Sequence, residues 1–193
     1  MIRTLPDLAA ALPKGARLLG LDLGTKTIGL AVCDPGLAVA SPIHTIRRSK
    51  FTEDARELAK VVRDYGVGGM VLGLPLNMDG SQGERAQAAN AFAHTLVQRA
   101  DLFGGWEPEI AFWDERLSTS AVQRFMIGEA DMTRKRRGEV VDKMAAAYIL
   151  QGAIDSLAHA RRQAQAAAER DRGYDDDDDG NGGDGGDGGG GGE

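Results

Sequence analysis

"LLGLDLGTKTIGLAVCD", residues 18–34, decides how this chain is read. Two apolar segments, 17–23 and 27–32, are separated only by Gly24, Thr25 and Lys26. Both read as buried strands, and Asp34-Pro35-Gly36 supplies turn chemistry after the second. "SPIHTIRR" (41–48) reads as a third. The links are too short for helical crossovers, so these three strands form an antiparallel meander. One charge interrupts the first segment. A lone carboxylate in an apolar run is costly unless it is paired or binds a metal, so Asp22 needs a reason.

Downstream the pattern changes to alternating helix and strand. "TEDARELAKVVRDYG" (52–66) is an amphipathic helix closed by Gly66, and "GGMVLGLP" (68–75) is a buried strand. "SQGERAQAANAFAHTLVQRA" (81–100) is a helix with Ser81 as its cap, and "EIAFWDER" (109–116) is a strand. Ser118 caps a helix over 118–127, and a long helix from Gly138 runs toward the tail. "TLPDLAAALP" (4–13) forms a short leading helix. The strand–helix–strand segments imply parallel crossovers. The expected fold class is α/β, a five-stranded mixed sheet in the order βββαβαβα with helices on both faces.

The chain divides into a 1–15 extension, a 16–170 domain and a 171–193 tail. After Tyr174 the tail is Asp and Gly apart from Asn181 and Glu193, too polar to bury a core, and is expected to be disordered. The chain has 23 bases and 29 acids, net −6. Residues 171–193 hold nine acids and one base, which leaves 22 bases against 20 acids in residues 1–170. The acidic balance therefore hides a mildly basic domain, compatible with nucleic acid. Cys33 is the only cysteine, which fits a reducing, cytoplasmic setting. No apolar run reaches membrane-spanning length, and no membrane partner is expected.

The acids converge. Asp22 lies near the carboxyl end of the first strand of the meander, and Asp114 and Glu115 lie at the carboxyl end of 109–116. If those strands are parallel, all three reach the edge where open α/β sheets place ligands. Asp142 heads a helical stripe through Ala146, Ile149 and Ala153. Gathered carboxylates repel, and Mg²⁺, or Mn²⁺ in its place, relieves this with hard oxygen ligands. Each acid also has a plainer reading. Asp22 pairs with Lys26 or with the following turn, Glu115 pairs with Arg116, and Asp142 complements a helix dipole. For Asp114 a structural acceptor role leads.

Four stretches resemble the YqgF family, also called RuvX: "GLDLGTKTIGLAVCD" (20–34), "VLGLPLNMDGSQGERA" (71–86), "DERLSTS" (114–120) and "VDKMAAAYIL" (141–150). Members are RNase H-like proteins described as Holliday junction resolvases and pre-16S rRNA nucleases. The resemblance spans roughly residues 16–158 and implies an RNase H-like fold. It implies a catalytic metal site of Asp22, Glu115 and Asp142. The implied partners are precursor rRNA or branched DNA and the small ribosomal subunit precursor, bound by a monomer or weak homodimer.

Around that site, Asn77 and Ser81 are expected to meet a phosphate. "TRKRRGE" (133–139) reads as a loop that places Arg134, Lys135, Arg136 and Arg137 on substrate. Lys26, Arg116 and Lys143 complete a basic rim. The expected activity is hydrolysis of phosphodiester bonds, maturing the 5′ end of precursor 16S rRNA. Two rivals stand beside it. "DLGTKTIGLAV" also resembles the phosphate loop of actin-like ATPases, but those need a second such domain, for which this chain is too short. A non-catalytic nucleic-acid-binding factor would not need all three acids.

Overall fold

The β-hairpin of residues 17–33 lies within the sheet, with strands on both sides. β1 is Ile2–Arg3, β2 Arg17–Leu23, β3 Thr27–Cys33, β4 Ala40–Arg47, β5 Val67–Leu74 and β6 Ile110–Asp114. The helices are α1 Leu5–Ala11, α2 Phe51–Tyr65, α3 Glu84–Gln98 and α4 Arg134–Arg172. The computed structural model describes residues 1–117 and 134–172, with backbone alone at 117, 134–140 and 171–172. The helix expected over 118–127 and the tail from residue 173 lie outside the described residues. Residues 1–157 form one compact unit, and residues 158–193 a second. In the second, helix α4 continues to Arg172, and its side chains as far as residue 170 are mostly exposed.

The sheet order is β1-β6-β5-β2-β3-β4. β2, β3 and β4 form the expected antiparallel meander. β5 lies parallel to β2 and β6 parallel to β5, with α2 and α3 as the crossovers. A central strand flanked by a hairpin on one side and by parallel crossovers on the other is the RNase H-like arrangement. The sheet has six strands rather than five. The addition is β1, whose two residues pair in parallel with Ile110 and Ala111. Two residues carry no readable alternation, but Arg3 also forms an ion pair with Glu109, and Leu8 of α1 is buried.

Strand alternation divides the core into two layers. Leu19, Leu21, Ile28, Leu30, Met70 and Leu72 face α2 and α3, and meet Leu58, Val62, Phe92 and Leu96. Leu18, Ala31, Val71 and Ala111 face the other way, toward Leu8, Ala146, Ile149, Leu150 and Ala153. The stripe read from Asp142 is therefore the buried stripe of α4. α2 ends as expected, with Gly66 left-handed at φ 63° and donating to Arg63 and Val62 carbonyls.

α4 lies close to the sheet because glycines line its seat. A Cβ at Gly20 would fall 2.8 Å from the Ala146 carbonyl oxygen, and one at Gly29 would fall 2.0 Å from that of Asp142. The second contact is backbone against backbone, so no rotamer change relieves it. These glycines are what bring residue 142 down onto β3, beside Asp22.

Candidate active site

Asp22 is cross-strand from Gly29, next to the carboxyl end of β2. Glu115 follows the last residue of β6, and β2, β5 and β6 run the same way. Alternation puts Asp22 and Glu115 on the α4 face of the sheet, with Asp114 on the opposite face. Glu115 reaches its position over a strand without a side chain there: a Cβ at Gly73 would sit 2.6 Å from Glu115 Oε1. Asp142 is brought in by α4, and its Oδ2 accepts a hydrogen bond of 2.7 Å from Thr27 Oγ1.

Burial first, and then the charges of Glu115 and Asp142, push the Asp22 carboxyl up to about 7, with Arg85 opposing the rise. Burial also raises Glu115, again opposed by Arg85, with Asp114 adding to the rise. The three acids thus share one edge and one electrostatic field. Among the described residues, though, no three or more His, Cys, Asp or Glu side chains are drawn together as a ready metal cage. The donors fit a hard cation all the same. Mg²⁺ is ordinarily held by one or two carboxylates, with waters and substrate phosphate oxygens completing its shell. Half-buried, mutually repelling carboxylates supply that partial set.

The raised Asp22 gives a stability prediction for protein in chelator. Its folded value lies above the unfolded value of 3.8. Protonated Asp22 is accommodated at low pH, and stability is lost as pH rises from about 4 to about 7. Asp22→Asn removes that loss. Urea unfolding at pH 8 should show the variant more stable than wild type by about 2–4 kcal/mol, with little difference at pH 4. Equal midpoints at pH 8 would show that the carboxylate is not under this strain.

The remaining residues divide. Lys26 is exposed in the β2–β3 turn, and Lys143 is half-buried beside Asp142 on α4. Asn77 and Ser81 occupy the β5–α3 loop, where Asn77 Nδ2 donates to Ser81 Oγ (2.8 Å) and Ser81 Oγ to Asp79 Oδ1 (2.6 Å). Ser81 is not the helix cap. α3 begins at Glu84 with Gly83 in the cap position and no side-chain cap bond. Asp79 takes both the amide and the hydroxyl of Ser81, in a turn two residues upstream. The basic run is not a loop where described: Arg134–Arg137 form the first turn of α4. Thr133 lies outside the described residues.

Arg116 is engaged within the protein. Its guanidinium grips Asp114 through Nε (3.0 Å) and Nη2 (2.6 Å), and its amide donates to the same carboxylate. Nη1 reaches the Met78 carbonyl at 3.4 Å. Asp114 is the structural acceptor, held low by Arg116. The pair ties the end of β6, next to Glu115, to the β5–α3 loop. Arg116→Ala should lower kcat about tenfold to a hundredfold while the salt slope of nucleic-acid binding stays at the wild-type value. A slope reduced by nearly one would make it a phosphate contact instead.

Arg85 is the residue that sequence reasoning passed over. It is exposed in the first turn of α3, and it is the cation whose charge both Asp22 and Glu115 feel. The available signal was a base in a helical first turn, where the dipole favours acids.

The sequence profile of RuvX, described as Holliday junction resolvase, matches residues 16–156. The chain belongs to the RuvX family. A Rhodospirillum centenum protein named as a candidate pre-16S rRNA nuclease is 66% identical over 166 residues, covering 86% of this chain and 85% of its own. A Rhodospirillum rubrum protein of the same name is 56% identical over 156 residues, 81% of this chain and 93% of its own. Among solved structures, T. thermophilus RuvC in complex with a Holliday junction substrate aligns at a TM-score of 0.42 and 16% identity. That alignment covers 69% of this chain and 91% of RuvC. Among the described residues, no helix is long and apolar enough to cross a membrane.

Proposed function

We propose that this RuvX protein is a metal-dependent endonuclease that matures the 5′ end of precursor 16S rRNA. It is a hydrolase of phosphodiester bonds, as its family and its nuclease-named relatives indicate. The observation that carries the site assignment is Asp22: a half-buried carboxylate at the sheet edge, raised to about 7 by desolvation and by two further acids. The choice of rRNA follows the relatives' names.

Asp22, Glu115 and Asp142 would hold Mg²⁺ or Mn²⁺. Bound there, the cation would supply charge neutralisation and polarisation of the scissile phosphate and its attacking water. The chain's own residues set the stage. Thr27 fixes one oxygen of Asp142. Gly73 gives Glu115 room, and the Asp114–Arg116 pair holds the backbone beside it. Arg85 offsets part of the negative field, which eases the approach of an anionic substrate. Lys143 and the first turn of α4, with Arg134, Lys135, Arg136 and Arg137, would add cations along the same helix. The protein works in the cytoplasm on this reading, on the small-subunit precursor, as a monomer or weak homodimer.

The family description favours a second reading, junction resolution. One assay separates the two. Purified protein receives a precursor rRNA fragment spanning the 5′ end and a four-way DNA junction, each with Mg²⁺ and with chelator. The rRNA reading expects cleavage of the RNA in Mg²⁺ alone, leaving a 5′-phosphate and a 3′-hydroxyl. Paired, symmetric cuts in the junction with the RNA intact would replace it by the resolvase reading.

A further inference from the structure

Three bases occupy four positions of "TIRRSK" (45–50), and none is explained by the site described above. Arg47 ends β4, Arg48 and Lys50 follow it, and all three are exposed. Lys26 arrives from a different element, the tip of the β2–β3 hairpin. The two elements are tied together. Arg48 N donates to the Lys26 carbonyl at 2.9 Å, and Arg48 Nη1 donates to the Gly24 carbonyl at 2.8 Å. Gly24 is two residues beyond Asp22.

The register places this cluster against the acids. Arg47 is cross-strand from Thr27, and Thr27 is the residue that holds Asp142. Alternation sets Arg47 and Thr27 on the α4 face, the face of Asp22. The acids at the start of α2 make bonds of their own. Ser49 Oγ donates to Glu53 (2.8 Å) and Asp54 (3.2 Å), and Ser49 N to Asp54 (3.0 Å), at the start of α2. Glu57 is taken by His44. Bases on an edge strand also discourage edge-to-edge pairing. That role accounts for Arg47, but not for Lys26 on the hairpin or for Arg48 and Lys50 beyond the strand.

An anionic strand is repelled by the acids it must reach, and residues 1–170 sum to only +2, so attraction has to be local. We propose that Lys26, Arg47, Arg48 and Lys50 form a phosphate track that carries a single RNA strand over the β2–β3 tip to the Asp22 edge. The inference rests on the nuclease reading, because it supplies that reading's substrate path. The track contacts backbone phosphates and is therefore indifferent to base sequence.

The test uses the full chain with Lys26→Gln, Arg47→Gln and Lys50→Gln combined, leaving Arg48 and its bond to Gly24 in place. Binding of a fluorescent 20-nucleotide single-stranded RNA is followed by anisotropy in chelator, from 50 to 200 mM KCl. Three lost phosphate contacts should flatten the log–log salt slope by about two and weaken binding at 50 mM KCl at least tenfold. Lys26→Arg, Arg47→Lys and Lys50→Arg combined keeps the charges and should keep the wild-type slope. Lys60→Gln, Arg63→Gln and Arg56→Gln combined, exposed on α2, serves as the matched loss of three charges and should also leave the slope alone. With Mg²⁺, the neutralised variant should show a raised KM and a nearly unchanged kcat. A wild-type slope in the neutralised variant, or an equal change in the α2 variant, would overturn the track. Failure of the wild-type protein to bind RNA at 50 mM KCl would overturn the nuclease reading as well.

Discussion

Asp22→Asn should all but abolish phosphodiester cleavage, lowering kcat at least about a thousandfold, or ~4 kcal/mol of transition-state stabilisation, while the chain stays folded. Asp22 is where the effects of burial and of two other acids meet, so its carboxylate is the one that most needs a cation beside it. The amide keeps the shape of the carboxylate and removes its charge. Its gain in stability at pH 8 in chelator, argued above, separates a functional defect from a folding defect in the same variant. Glu115→Gln should lose activity to a similar degree. Single-turnover cleavage in Mg²⁺ measures both, and wild-type rates in either would remove that residue from the site.

Gly29→Ala should be the most disruptive single-methyl change in the described sheet. The added Cβ would meet the Asp142 carbonyl oxygen at 2.0 Å, far inside contact distance, and neither backbone can yield without moving β3 or α4. Overpacking of this kind costs about 3 kcal/mol or more. The effect extends beyond stability, because lifting α4 carries Asp142 away from Thr27 and Asp22. Urea unfolding should show the loss. Cleavage should remain depressed even at a temperature where the variant is fully folded. Gly104→Ala offers a contrast. That glycine meets nothing within 4 Å, so its cost comes from its positive φ of 64° alone. Similar costs at the two positions would contradict the close seat of α4.

The difference between these glycines also marks what could be read from the sequence. Apolar runs and turn residues located β2 to β6 within a few residues, and the parallel crossovers followed from the lengths of the intervening helices. Asp22 stood out because a charge in a buried strand conflicts with its surroundings. The stripe through Ala146, Ile149 and Ala153 correctly turned α4 toward the sheet. Gly20 and Gly29 were silent, since a glycine in a strand does not say which element approaches it. β1 was too short to show a period. Ser81 fitted the rule for a helix cap, but Asp79 competed for its amide and hydroxyl, and the helix started later. The Arg116–Asp114 pair was not legible, because the two lie only two residues apart and strand alternation had yet to fix their faces. Arg134–Arg137 read as a loop because of the glycine that follows, yet the helix runs through Gly138.

The central claim is that β2, the end of β6 and α4 bring Asp22, Glu115 and Asp142 to one metal site. Crystals grown with Mn²⁺ and measured by anomalous scattering test it most directly. The predicted result is an anomalous peak at the carboxyl edge of the sheet, ligated by Asp22 and at least one of the other two acids, and lost in Asp22→Asn. A Mn²⁺ peak bound elsewhere with this edge empty, or one that persists in Asp22→Asn, would contradict it.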